Sequence, residues 1–178
     1  QSFMLVVTMP LGGISGGTQG ILGFNYGARQ PQRVQDAQRH IFRLCLLYTS
    51  IMFLIAWIAG GIFTRLFTSD PAIMEKSVWA IHVCTLAIIP LGLQYEVVDG
   101  FTAIGQVRYA LPLSFWRKAV YFAALFTLPA LFGAEAVFFA EPISDVIGPA
   151  TSVAVHTLCW KKILARRQTD LPCPDNRA

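Results

Sequence analysis

The sequence predicts an all-α integral membrane protein with about five transmembrane helices, and three observations support this fold class. Hydrophobic residues make up 54% of the 178 residues, and the mean hydropathy is +0.53. Charged residues make up 13%, whereas soluble domains carry about 25%. The apolar residues are collected in five long segments, with most basic residues between them. Together these features indicate that the protein folds within a lipid bilayer.

Each apolar segment is long enough to be a predicted span, because a helix needs roughly 20 apolar residues to cross the hydrocarbon core. A polar tail follows the last segment and is predicted to be disordered and cytoplasmic. The predicted spans are residues 3–24, 41–63, 78–104, 115–132 and 137–164, and the tail is residues 165–178.

The basic residues alternate between the connectors. Twelve of the 14 Lys and Arg residues lie in the first connector, the third connector and the tail, and Arg108, Arg117 and Lys118 are assigned to the third connector. These stretches face one side of the membrane if every segment spans it, and the positive-inside rule makes that side the cytoplasm. The sequence therefore predicts a cytoplasmic carboxy terminus. Membrane topology accounts for the net charge of +4 without nucleic acid as a partner.

The candidate functional residues are Glu96 and Asp99, in the third predicted span, with Gln94 and Tyr95 beside them. Ionisable groups inside a bilayer are costly and mark functional sites. Residues three apart share one helical face. Two close carboxylates can take up and release H⁺ or Na⁺, as a coupled antiporter requires, or hold a cationic substrate. In the alternative interpretation they face interfacial water or pair with Arg108.

Other polar residues in the predicted spans receive structural interpretations. Glu141 and Asp145 open the last span, where acidic side chains stabilise a helix N-terminus. His82 and His156 lie in apolar spans, and we interpret them as packed, hydrogen-bonded side chains rather than titrating sites.

The first segment carries small residues on one face, at Gly12, Gly16 and Gly20. This spacing predicts close packing against another helix. In the alternative interpretation the segment is partly unwound and moves during transport.

The sequence contains no motif for a metal centre or an enzyme. The four cysteines are Cys45, Cys84, Cys159 and Cys173, and without a CxxC pair they are interpreted as reduced thiols. HExxH and P-loop motifs do not occur, and the Gly-x-Ser-x-Gly match at residues 13–17 lies within an apolar segment. We therefore predict a protein that is not an enzyme and binds no cofactor.

Residues 17–29 read Gly-Thr-Gln-Gly-Ile-Leu-Gly-Phe-Asn-Tyr-Gly-Ala-Arg. This stretch resembles the Gln-Pro…Gly-Tyr-Asn-Tyr-Gly-Ala signature of multidrug and toxic compound extrusion (MATE) transporters, with Gly20 where the signature usually has Pro. Further stretches that resemble the family follow in order at residues 67–71, 100–105, 113–117 and 142–145. The residues that match the signature are Gln19, Asn25, Tyr26, Gly27 and Ala28.

The resemblance implies a twelve-helix transporter of two six-helix lobes, with this chain supplying helices eight to twelve of the second lobe. The partners implied are membrane lipid, small cationic amphipathic substrates and the missing N-terminal lobe. The implied activity is export of cationic drugs or toxins from a bacterial-type inner membrane in exchange for H⁺ or Na⁺. Asp99 is expected to match an aspartate of the tenth helix that takes part in coupling, with Na⁺ as one candidate ion there. The chain alone is expected to be inactive.

Two other functions remain open. A flippase for lipid-linked oligosaccharides, from a related branch, would move anionic cargo and need a basic cavity. The charged groups that we expect well inside the spans are acidic, which favours cationic cargo. A non-transporting scaffold would bind a partner through the glycine-rich face, and its function would survive neutral substitutions of Asp99 and Glu96.

Overall fold

The computed structural model describes the backbone of residues 2–169 and the side chains of residues 3–166. Within that range the fold is helical and contains no strand. A short 3-10 helix, Ala134–Phe139, precedes the last α-helix. The α-helices are α1 (Ser2–Gly17), α2 (Gln19–Gly27), α3 (Pro31–Arg65), α4 (Pro71–Thr85), α5 (Ile88–Ala103), α6 (Val107–Phe132) and α7 (Ala140–Thr169).

Two predicted segments are interrupted where a threonine hydroxyl binds carbonyls of the preceding turn. Thr18, between α1 and α2, donates to the carbonyl oxygens of Ile14 and Ser15 at 3.0 and 2.8 Å. Thr85, at the end of α4, donates to Ile81 O at 2.8 Å. Hydroxyls bound to carbonyls in this way bend helices. α4 and α5 meet at an angle of 46°.

The number of membrane spans stays a prediction. Among residues 2–169, α3 is the one helix that is long and apolar enough to cross a membrane by itself. α4 and α5 satisfy the same criteria when they are taken together as one bent span. α1 is too short alone, because it has only 16 residues.

The helix bounds differ from the predicted spans. α6 begins at Val107 rather than at residue 115, so Arg108, Arg117 and Lys118 lie in a helix. The position of these residues relative to the membrane stays a prediction. The connector between α5 and α6 is only residues 104–106. α7 continues to Thr169, so the first residues of the predicted tail are helical. Residues 170–178, including Cys173, lie outside the described part. The cytoplasmic orientation stays a prediction.

The interior is formed around α5, which packs against α1, α2, α3, α6 and α7. Val97 and Phe101 of α5 are fully buried in the main apolar cluster. The outer surface is also apolar: Phe24, Ile58 and Leu131 are 77%, 82% and 75% exposed. Extensive exposed apolar surface marks a membrane or protein contact rather than a surface that faces water.

Replacing Asp70 by alanine is expected to lower stability by about 1 kcal/mol. The Asp70 carboxylate accepts a hydrogen bond from the Ala72 N–H at 2.9 Å and so caps α4. Thermal unfolding of the complete protein in detergent measures the loss. Glu75→Gln, at an exposed position of the same helix, is the control and should change stability by less than about 0.5 kcal/mol. Equal effects of the two substitutions would contradict the capping role.

Candidate functional site

Asp99 binds the interrupted first segment. Its carboxylate accepts hydrogen bonds from the Ser15 hydroxyl of α1 and from the Gln19 amide of α2, the latter at 3.0 Å. Ser15 is buried and Asp99 is half-buried. The two donors flank the break at Thr18, so the carboxylate joins both halves of the segment to α5.

The break also gives Asp99 a favourable electrostatic setting. α2 begins at Gln19, so the positive end of its helix dipole faces the region of the carboxylate.

Gly16 and Gly20 have open space where a Cβ would stand. The interpretation of these two glycines as a closely packed face is therefore wrong within the described residues. The interrupted helix agrees with the alternative of a partly unwound segment.

Glu96 faces a different neighbour from Asp99. It lies between Gly92 and Gly100, the two positions where α5 closely approaches α3. Its side chain is 1% exposed, and neither carboxylate oxygen has a hydrogen-bond partner within the described chain. The two carboxylates therefore make different contacts, although their charges interact. Arg108 stacks over the Tyr109 ring, 5.0 Å from its centroid.

Gln94 and Tyr95 connect α5 to the helices that follow it. The Gln94 amide donates to Leu113 O at 3.4 Å and accepts from the Ser152 hydroxyl at 2.6 Å, which joins α5 to α6 and α7. Tyr95 interacts electrostatically with Asp99, Arg117 and Asp145. Tyr95 therefore lies between the Asp99 site and a second group of charges.

That second group is a buried ion pair between α6 and α7. The Arg117 guanidinium donates to Asp145 Oδ1 at 2.6 Å, and the Ser144 hydroxyl donates to the same oxygen at 3.2 Å. Asp145 is 1% exposed. Asp145 thus has a structural contact, as the sequence suggested, but its carboxylate binds the Arg117 guanidinium rather than the N-terminus of α7. Arg117 is thus a largely buried basic group among the helices, and Asp145 balances its charge.

The signature residues have different structural positions. Gln19 alone among them reaches the Asp99 carboxylate in the described contacts. The Asn25 amide donates to Ile21 O at 2.8 Å within α2, Tyr26 packs against the main apolar cluster, and Gly27 ends α2. Most of the signature residues therefore belong to the end of the interrupted segment, and Gln19 is the one that contacts the candidate site in the described residues.

The two histidines of the spans stack on tryptophans. The His156 and Trp160 rings have centroids 4.8 Å apart, and the His82 and Trp57 rings 4.6 Å apart. These contacts agree with the packing interpretation. His156 Nε2 has no hydrogen-bond partner in the part of the chain that the structure describes.

The candidate site offers oxygen ligands rather than a soft-metal centre. Asp99 and Ser15 supply carboxylate and hydroxyl oxygens, and Gln19 can supply an amide oxygen after rotation. Hard cations prefer such ligands. Among the described residues no three His, Cys, Asp or Glu side chains come together in a group that could hold a metal ion.

An all-helical body with an apolar exterior, and a broken helix held by a carboxylate inside it, is typical of membrane transporters. The sequence profile of the MatE family matches residues 1–121. The chain belongs to this family of multidrug transporters, which are integral membrane proteins. The family assignment from the signature residues is thus confirmed.

The relatives agree with the family. The multidrug export protein MepA of Staphylococcus haemolyticus is 22% identical over 135 residues, which are 76% of this chain and 30% of MepA. An FAD transporter of Shewanella oneidensis is 25% identical over 162 residues, which are 89% of this chain and 35% of that protein. The structure of a ligand complex of the MATE multidrug transporter DinF-BH matches with a TM-score of 0.83 and 28% identity, over 89% of this chain and 36% of that chain. The chain thus spans about a third of the length of these relatives.

Proposed function

We propose that this chain forms part of a secondary antiporter that exports cationic amphipathic compounds in exchange for H⁺ or Na⁺, with Asp99 as the coupling carboxylate. One observation carries the proposal: Asp99 joins α5 to both halves of a broken helix through Ser15 and Gln19. A cation that binds to Asp99 competes with these two donors, so binding changes how the segment is held.

The proposal concerns the complete reading frame that contains these residues. A first lobe must supply the other wall of the substrate path, so the 178 residues alone are expected to be inactive. The proposed location is a bacterial-type inner membrane with the carboxy terminus in the cytoplasm. Alternating access would then follow from movement of the lobes around the site. MepA, a multidrug export protein, and DinF-BH, a multidrug transporter, support this activity.

Replacing Asp99 by asparagine is expected to abolish efflux of a fluorescent cationic dye, such as ethidium, from cells that express the complete frame. Asparagine has nearly the same size as aspartate and can still accept a hydrogen bond from Ser15. It carries no negative charge, so it cannot take up a proton or bind a cation in exchange for substrate. The loss of fluorescence from preloaded cells measures the efflux. Efflux with and without a Na⁺ gradient, at constant pH, separates Na⁺ from H⁺ as the coupling ion.

The matched control is Asp36→Asn. Asp36 is exposed on α3, where it pairs with Arg39 at 3.3 Å, so its loss should leave efflux unchanged. Efflux that survives Asp99→Asn would contradict the role of Asp99 and keep the transporter. A complete frame without any dye efflux would contradict the cationic cargo.

An anionic cargo is the second candidate, and one observation favours it. The FAD transporter of Shewanella oneidensis matches 89% of this chain, and FAD carries negatively charged phosphates. Among the Lys and Arg side chains of the described helices, Arg117 is the one that is not exposed, but Asp145 already neutralises it. Uptake of FAD into inverted vesicles, measured beside dye uptake, distinguishes the two cargoes. The lipid-linked flippase and the scaffold remain the interpretations if neither compound is transported.

A further inference from the structure

Aromatic side chains join α3, α5, α6 and α7 at one level of the bundle. The Phe101 ring of α5 lies 5.3 Å from the Tyr109 ring of α6 and 5.6 Å from the Trp160 ring of α7, measured between centroids. The His156 ring stacks on Trp160 at 4.8 Å and meets the edge of Phe42 of α3 at 5.7 Å. The connected rings thus mark the end of the bundle where α3 and α6 begin and α5 and α7 end.

Three exposed basic side chains are chain neighbours of residues in this aromatic cluster. They are Arg43 on α3, Arg108 on α6 and Lys161 on α7, and we call them the basic belt. Among the described residues none of the three forms a salt bridge. The Arg108 guanidinium lies 5.0 Å from the centroid of the Tyr109 ring, and this cation–π contact holds it beside the cluster.

The positive charge of the belt is not neutralised by the described part of the chain. Of the exposed acidic side chains there, Asp36 is the one at this end of the bundle, and it already pairs with Arg39 at 3.3 Å. The exposed side chains of Arg33 and Lys162 extend the positive charge toward the helix ends. A surface with charge of one sign attracts anions from outside the protein.

Each member of the belt has an exposed leucine about one helical turn away. The leucines are Leu47 beside Arg43, Leu111 beside Arg108 and Leu158 beside Lys161, with 59%, 52% and 68% of the side chains exposed. Since α3 and α6 begin at this end and α7 ends there, every leucine lies further from the end than its cation. The order of cation and then apolar side chain matches a phospholipid, whose acyl chains follow its charged headgroup. A soluble phosphate would use the cations alone.

We propose that the basic belt binds the headgroups of anionic phospholipids, such as phosphatidylglycerol. The lipid phosphate accepts hydrogen bonds from the guanidinium and ammonium groups of Arg43, Arg108 and Lys161. The acyl chains lie along the exposed leucines. The inference goes beyond the proposed transport function, because lipid binding depends on neither the cargo nor the coupling ion.

Titration of phosphatidylglycerol into the complete protein in neutral detergent measures the binding as a rise in the unfolding temperature. Phosphatidylcholine, which has similar chains but no net charge, should give little rise. Arg43→Gln combined with Arg108→Gln should weaken phosphatidylglycerol binding about 30-fold. Arg65→Gln combined with Lys76→Gln removes the same charge far from the belt and should leave the binding nearly unchanged. Asp36→Asn, which removes an exposed negative charge at this end, should strengthen it.

Several results would overturn the inference. Equal weakening by the two double variants would show that net charge, rather than the belt, determines binding. Equal rises with phosphatidylglycerol and phosphatidylcholine would show that the headgroup charge has no part. The same rise with glycerol phosphate, which lacks acyl chains, would make the belt a site for soluble phosphate.

Two further measurements keep the test unambiguous. Each variant is unfolded without added lipid, and an unchanged unfolding temperature shows that its fold is intact. Dye efflux by the complete frame is measured separately. Phosphatidylglycerol binding without efflux would contradict the proposed function and support the belt, whereas efflux without this binding would do the reverse.

Discussion

Replacing Asp145 by alanine is expected to destabilise the protein by about 3–5 kcal/mol, since removal of one partner of a buried ion pair leaves an uncompensated charge. The affected charge is Arg117, whose side chain is 17% exposed and 2.6 Å from the carboxylate. Thermal unfolding of the complete protein in detergent measures the change. Replacing both residues by apolar ones, as in Arg117→Met with Asp145→Leu, should restore most of the stability because no charge then remains unpaired.

The matched control is another ion pair of the same chain. Asp36 and Arg39 are paired on the surface of α3, with side chains 61% and 67% exposed. Asp36→Ala should therefore cost no more than about 1 kcal/mol. If Asp145→Ala costs no more than this control, the buried pair does not hold α6 and α7 together.

Replacing Gly23 by alanine is expected to lower stability by about 1–3 kcal/mol and to impair dye efflux by the complete frame. A Cβ atom at Gly23 would stand 2.9 Å from the backbone oxygen of Ala103, which cannot rotate away. α2 must then move away from α5, and Gln19 moves with it, away from Asp99. Efflux is measured in cells, and thermal unfolding is measured on the same variant after purification.

Gly20→Ala is the control for this substitution. Gly20 lies in the same short helix but has open space around the position of a Cβ. Alanine there should be tolerated, with a gain of up to about 1 kcal/mol in helix propensity. If both variants lose efflux equally, the flexibility of α2, rather than its close approach to α5, is what transport requires.

The helical fold, and Asp99 as a candidate site residue, could be predicted from the sequence. Both depend on local facts: long apolar segments, and an acidic residue within one of them. The partners of Asp99 could not be predicted in the same way. Nothing distinguishes Ser15 from other small polar residues of its segment until α1 lies beside α5. Gln19 was identified through the family signature, without a reason for its position.

The ion pair between Arg117 and Asp145 could not be predicted from the sequence for a similar reason. The two residues are 28 positions apart, and each has a plausible local explanation, in a connector or at a helix start. Opposite charges in neighbouring apolar segments were the available signal. The helix breaks were missed because hydropathy averages over a window, whereas each break is confined to one or two residues, such as Thr18.

Because α5 lies at the centre of the fold, we expect it to tolerate few substitutions. Three sides of this helix are committed to different neighbours: Asp99 to α1 and α2, Glu96 to α3, and Gln94 to α6 and α7. A polar substitution that suits one neighbour disturbs another, so few sequence changes are neutral. In a saturation mutagenesis screen, α5 should therefore form the least tolerant stretch of the chain, whereas the exposed apolar side of α3 should accept almost any apolar residue.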